Sequence, residues 1–161
     1  MTSRILLIIL ALFFSSAAHA DDTGQQGTSV RALLDYALNQ TGAAYRGGGT
    51  NPSSGFDCSG FVRYVFDHVE GLSLPHSSRA MSLIGRRISF ADLKPGDLVF
   101  FRTVRNRISH VGIYLGDNQF IHATSTRTGS VMVSDITESY WAKHLSLARR
   151  IIFPDEPELA K

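Results

Sequence analysis

The apolar residues of this chain change their repeat once, and that change restricts the fold more than any other feature. From Val30 to Val69 they recur at helical spacing. From Asp97 to Ile152 they fall in short β-branched or aromatic runs punctuated by turn residues. Helices followed by consecutive strands, with no βαβ alternation, imply an α+β fold with an antiparallel sheet. Val30, Leu33, Leu34, Ala37 and Leu38 form one stripe, so a helix is expected over Ser29 to Gln40, stopped by Gly42. A glycine- and serine-rich loop from Ala43 to Phe56 leads into a second helix, from Asp57 or Cys58 to Glu70. A short third helix is expected from Ser77 or Ser78 to before Gly85. Five strands are expected, over 97–101, 109–115, 119–124, 130–134 and 145–152. Residues 137–144 read as a further short helix, with Trp141 as a packing residue.

The two ends stand apart from this pattern. Residues 1–20 combine a cationic start at Arg4, an apolar run from Ile5 to Phe14 and the small-x-small end Ala18-His19-Ala20. That is the arrangement of a secretory signal peptide cleaved after Ala20, and the apolar run is short for a bilayer span. Residues 21–28 read as a flexible leader, 29–153 as one folded domain, and 154–161 as a flexible tail. The protein is expected to be exported, to the periplasm or beyond, with no membrane association after cleavage. Removing residues 1–20 leaves 15 Lys+Arg against 14 Asp+Glu. So even a balance gives no electrostatic case for nucleic acid or an anionic membrane surface. Gly47-Gly48-Gly49 lacks the Gly-Lys-Ser/Thr of a phosphate-binding loop, and no G-x-G-x-x-G is present.

Cys58 is the one cysteine in 161 residues. In an oxidising compartment a lone cysteine is a buried inert thiol, an intermolecular link or a reactive group. Its expected place at a helix start favours the third. First-turn N–H groups and the helix dipole both stabilise a thiolate, and the same N–H groups can donate to an oxyanion.

A thiolate nucleophile needs an imidazole to exchange protons with it. His110 and His122 lie in adjacent strand candidates, SHVGIYL and QFIHA. A two-residue loop at Asp117-Asn118 would set the two rings on opposite faces. A three-residue loop, Gly116 to Asn118, sets Gly112 opposite His122 with His110 one diagonal away, and this is the preferred reading. One histidine is then base and acid, and the other orients it. His68, His76 and His144 read as surface or locally hydrogen-bonded residues.

Three segments in order, AYRGGGTNPSSGFDCSGFV, LKPGDLVFF and HVGIYLGDNQFIHA, resemble the NlpC-type family of cell-wall cysteine peptidases, which have a papain-like fold. The resemblance covers about Leu33 to Ile152. It implies N-terminal helices packed on a central antiparallel sheet of about five strands. It also implies Cys58 as nucleophile, His110 as base and His122 as third polar residue. Tyr45 matches a tyrosine beside the thiol that helps hold the oxyanion, while Asp57 and Ser59 match neighbours that shape the substrate subsite. Packing for Tyr45 and helix capping for Asp57 remain equally open. His76, Met81 and Arg46-Gly47 depart from the family's frequent Arg, Gln and aromatic, at positions expected to border the cleft.

The function so implied is an exported cysteine endopeptidase acting on peptidoglycan stem peptides or crosslinks containing D-amino acids and diaminopimelate, with no cofactor or metal. A regulatory protein partner is left open. The rivals are an amidase or acyltransferase of the same superfamily, a metal site built from Cys58, His110 and His122, and a non-catalytic cell-wall-binding module. Relatives with acyltransferase or amidase activity place His before Cys, whereas the order here is Cys, His, His. The metal site lacks a close ligand pair such as C-x-x-C.

Overall fold

The computed structural model describes residues 23–124 and 129–152. The expected signal peptide and tail lie outside them. Two helices, α1 (Thr23–Leu38) and α2 (Cys58–Glu70), pack on each other and on a sheet. Between the helices, β1 (Thr50–Asn51) and β2 (Gly55–Phe56) make a small ribbon that opens onto α2. After α2 come α3 (Ser78–Met81), β3 (Arg86–Ile88), β4 (Leu98–Phe101), β5 (His110–Gly116), β6 (Gln119–Ala123), β7 (Val131–Asp135), α4 (Ser139–His144) and β8 (Leu145–Arg150). The main sheet has six strands in the order β3-β8-β4-β5-β6-β7, each pair antiparallel.

Two boundaries differ from the sequence reading. Helix α1 begins at Thr23, not Ser29, and so takes in most of the expected leader. Extending a helix already nucleated on a packed segment is far cheaper than starting one, so a polar stretch can continue it. The sheet has a sixth strand, β3, whose two arginines leave no apolar alternation to read. It pairs with β8 through Arg86↔Arg150 and Ile88↔Ala148.

The pleat divides the apolar residues between two cores. Leu98, Phe100, Val111, Ile113, Ile121 and Ala123 face the helices, where Leu33, Ala37, Phe61, Val62, Val65 and Phe66 are fully buried against them. Val99, Phe101, Tyr114, Phe120 and Ala148 face the other way, under Trp141 of α4. Asp97 anchors the far end of the sheet. It is 1% exposed and accepts both Nε and Nη2 of Arg150 at 2.7 Å. Such a two-pronged geometry compensates the desolvation of both charges.

Candidate active site

Helix α2 starts at Cys58 because Asp57 caps it. Asp57 has extended backbone angles, and its Oδ1 accepts the Gly60 N–H at 2.7 Å. The same carboxylate accepts the Ser59 hydroxyl at 3.0 Å, the Gly48 N–H at 3.0 Å and His76 Nε2 at 3.0 Å from each oxygen. Asp57 therefore ties the glycine loop, the helix start and the segment before α3 together. Ser59 is buried, and its hydroxyl proton is directed at Asp57. The loop lies hard on the helix: a Cβ at Gly60 would come within 2.0 Å of the Gly49 carbonyl oxygen. No side chain larger than hydrogen fits there.

The thiol meets the sheet at the start of β5, an interior strand. Cys58 Sγ lies 3.9 Å from the Ser109 carbonyl oxygen, and the Val111 N–H also bonds the sulfur. The sulfur thus sits between the two chain neighbours of His110. Burial pushes the Cys58 thiol up to about 11, reinforced by Asp57, against the pull of the Val111, Ser59 and Cys58 N–H groups. This corrects the expectation of a resting thiolate: desolvation outweighs the helix start. The Tyr45 phenol is also pushed up, first by burial and then by the charges that Cys58 and Asp57 can carry. Tyr45 therefore shares the local field of the thiol.

His110 and His122 meet through their rings. His110 Nε2 and His122 Nδ1 are 2.8 Å apart, with the planes at 90°. The register that permits this is the expected one, reached by a different turn. Gly116↔Gln119 closes on Asp117-Asn118, both left-handed (φ 49 and 63), and a bulge between Tyr114 and Gly116 shifts the pairing to Ile113↔Ile121. That leaves Gly112 against His122, where a Cβ would meet the Phe120 ring at 2.6 Å and His122 Cβ at 3.2 Å.

Both rings are buried, His122 completely. Burial pushes His110 down to about 4, and burial together with His110 pushes His122 down further. Both imidazoles are therefore neutral at neutral pH. Three contacts around the pair were not visible in the sequence reading. His122 Nε2 lies 3.0 Å from Ser134 Oγ on β7. Trp141 stacks on His110 at 5.3 Å and 27°, and presents its edge to His122. Ser134 was findable in principle, because His122↔Met132 pairing puts it on the same face two residues along.

Other expected positions divide. His68 and His144 bond locally, Nδ1 to the carbonyls of Tyr64 and Tyr140. His76 does not; it holds Asp57, one residue from the thiol. Met81 is fully buried in the core instead of bordering a cleft. Among the described residues, no group of three or more His, Cys, Asp or Glu is arranged to hold a metal ion. The two histidines point nitrogen at nitrogen, which leaves no gap for a shared ion. No helix among the described residues is long and apolar enough to cross a membrane.

A thiol held by the backbone on either side of His110, with that ring hydrogen-bonded to His122, sits on a frame of helices and antiparallel sheet that is papain-like. The NlpC/P60 family profile matches residues 42–150, and the chain belongs to that family. It is 43% identical over 122 residues to a probable endopeptidase NlpC homolog of Haemophilus influenzae, covering 76% of this chain and 63% of that one. It is 42% identical over 120 residues to the Escherichia coli murein DD-endopeptidase MepS/murein LD-carboxypeptidase, covering 74% and 62%. The chain thus spans under two thirds of the length of either relative. Among solved structures, a Staphylococcus aureus NLP/P60 family protein described as similar to a lipoprotein superposes with a TM-score of 0.71 at 36% identity, covering 78% of this chain and 42% of that one.

Proposed function

We propose that this chain is an exported cysteine peptidase that hydrolyses peptide bonds in peptidoglycan stem peptides or crosslinks, with Cys58, His110 and His122 as its catalytic residues. The observation that carries the reading is the 2.8 Å contact between the two buried imidazoles, one of them flanked by the backbone that holds the thiol. The relatives named as endopeptidases and as a murein endopeptidase supply the substrate class.

The direction of proton flow follows from the hydrogen bonds. For His110 to accept a proton at Nδ1, its Nε2 must carry hydrogen and donate to His122 Nδ1. His122 then carries its own hydrogen on Nε2, which donates to Ser134 Oγ. In this tautomer His110 takes the Cys58 proton as the sulfur attacks the carbonyl carbon. In this reading the N–H groups at the start of α2 and the Tyr45 hydroxyl donate to the oxyanion. The imidazolium gives that proton to the departing amine as the C–N bond breaks and a thioester remains. Water, deprotonated by His110, attacks the thioester, and the thiol leaves with the proton returned. Trp141 covers the His110 ring and limits water around the transient cation.

Domain limits follow the same reading: a signal peptide over residues 1–20 and a peptidase domain from residue 29 to 153. The test is digestion of purified muropeptides by wild type and Cys58→Ala, with products identified by mass. New termini at a stem or crosslink bond are expected with wild type alone. Equal cleavage by Cys58→Ala would refute the nucleophile, and loss of activity on adding chelator would favour the metal-site rival. Mass analysis of the exported protein should find Asp21 at its N-terminus.

A further inference from the structure

The loop between β4 and β5 carries three arginines whose charges the mechanism does not use. Arg102, Arg105 and Arg107 lie on it, and it ends at Ser109, whose carbonyl oxygen touches the Cys58 thiol. The loop is a built hairpin. Ser109 Oγ accepts the N–H groups of Thr103 and Val104 at 3.0 Å each, and Val104 bridges Arg107. Its tip holds Arg105 and Asn106 at φ 46 and 55, a left-handed turn that usually takes Asn-Gly. An arginine is thus fixed at a position that disfavours it.

Beside this hairpin is a cleft of about 430 Å³ lined by Arg102, Asn106, Lys143, His144, Leu145 and Ser146. Among the described residues no acidic side chain lines it. Among the described residues Arg102 has one side-chain bond, a long one of 3.5 Å to Asn106 Oδ1, and Lys143 forms no ion pair. The cationic cleft at the other end of β8 differs, because its Arg150 is already paired with Asp97. Arg102 directly follows Phe101, which pairs with His110, and its N–H bonds the His144 carbonyl at 2.9 Å. Lys143 lies two residues beyond Trp141, which stacks on His110. The cleft is therefore joined to the catalytic histidine from two sides.

We propose that this cleft is a subsite for a carboxylate on the leaving, amine-side portion of the substrate. The inference rests on the peptidase reading, and its logic is positional. His110 delivers a proton to the departing amine, so the leaving portion lies on the His110 side of the scissile bond. Arg102 follows Phe101, which pairs with His110, and Lys143 lies on α4 with Trp141, which stacks on His110, so the cleft is assigned to that side. An amino acid whose amine is released carries its own carboxylate a few bonds away, and an unneutralised Arg–Lys pair attracts such a group. Both cations are exposed, so each contributes modestly and their effect is on substrate binding.

The test uses two purified stem peptides that differ only in whether the carboxylate on the amine side of the cleaved bond is free or amidated. Wild type should show a KM roughly fivefold lower for the free acid, with kcat within about twofold. The Arg102→Ala/Lys143→Ala protein should lose that preference, keep its kcat on the amidated peptide and unfold at the wild-type temperature. If wild type cleaves both peptides with equal KM, or the double variant keeps the preference, the subsite is refuted and the peptidase reading stands. If wild type cleaves neither, both readings fall. If a phosphodiester wall polymer competes with the free-acid peptide in wild type but not in the double variant, while the amidated peptide binds as well as the acid, the cleft serves that polymer and the carboxylate assignment is overturned.

Discussion

His110 and His122 are joined nitrogen to nitrogen, with Nε2 of one 2.8 Å from Nδ1 of the other. A ring held this way has one nitrogen left for the substrate side, and which tautomer it adopts is decided by its partner. The orienting group is itself a neutral imidazole backed by a neutral hydroxyl, Ser134. Among the described residues no carboxylate bonds either ring, so the imidazolium of the proposed mechanism would be a costly transient species in a buried site.

Removing the orienter should therefore harm turnover more than binding. His122→Leu should lower kcat by roughly 10²-fold or more with KM little changed. Ser134→Ala removes one hydrogen bond to a buried ring and should lower kcat by about fivefold. Ser134→Thr, which keeps the hydroxyl, should restore most of it. Steady-state kinetics on a muropeptide would read all three, and an undiminished kcat in His122→Leu would refute the relay.

The raised thiol makes a kinetic prediction about the free enzyme. With Cys58 pushed up to about 11, the thiolate fraction should climb about tenfold for each pH unit below that value. The rate of alkylation by iodoacetamide should do the same from neutral pH to about pH 10. A rate already at its plateau at neutral pH would mean a preformed thiolate-imidazolium pair.

The depressed histidines give stability a direction with pH. Between its unfolded value near 6.5 and its folded value of about 4, His110 binds more protons in the unfolded chain than in the folded one. Stability therefore rises with pH across that window and is lost as pH falls through it. His122, depressed for the same reason, adds in the same sense. Thermal midpoints should fall between pH 6.5 and 4, and His110→Asn should shallow that slope.

Gly112 fills the space between the rings by having no side chain. Gly112→Ala puts a Cβ within 2.6 Å of Phe120 and 2.9 Å of the Ile121 carbonyl oxygen. The overpacking should cost about 1–3 kcal/mol in urea denaturation. Activity should fall further than stability explains, because His122 Cβ is the next atom displaced.

Asp57 is predicted to matter to folding more than its ion pair suggests. Asp57→Ala removes the helix cap and should cost about 1–2 kcal/mol. His76→Ala breaks only the partly exposed pair and should cost under about 1 kcal/mol. Denaturation midpoints of the two variants would separate the capping role from the charge.

What the sequence made legible was whatever repeats or terminates locally. The stripe through Phe61, Val62, Val65 and Phe66, with Asp57 before it and Gly71 after it, placed Cys58 at a helix start. The alternation around His110 and His122, with a turn between, placed the two rings on one face. The rest depends on neighbours distant in sequence. Ser134 joins the site only once β6 and β7 have set their register, and His76 reaches Asp57 across 19 residues. Arg86-Arg87-Ile88 becomes a strand only by pairing with β8. The helix start alone points to a thiolate at Cys58, whereas burial, which does not show in a list of residues, is the largest influence on that thiol and pushes it up.

That protonated thiol has a consequence for durability. Peroxides and disulfides react with thiolates, and a lone cysteine has no partner in its own chain with which to form a reversible bond. An activated thiolate waiting in oxidising surroundings would be consumed toward sulfinic acid between encounters with substrate. In the mechanism proposed above Cys58 loses its proton only as a carbonyl receives the sulfur, so the burial that pushes the thiol up would also preserve it.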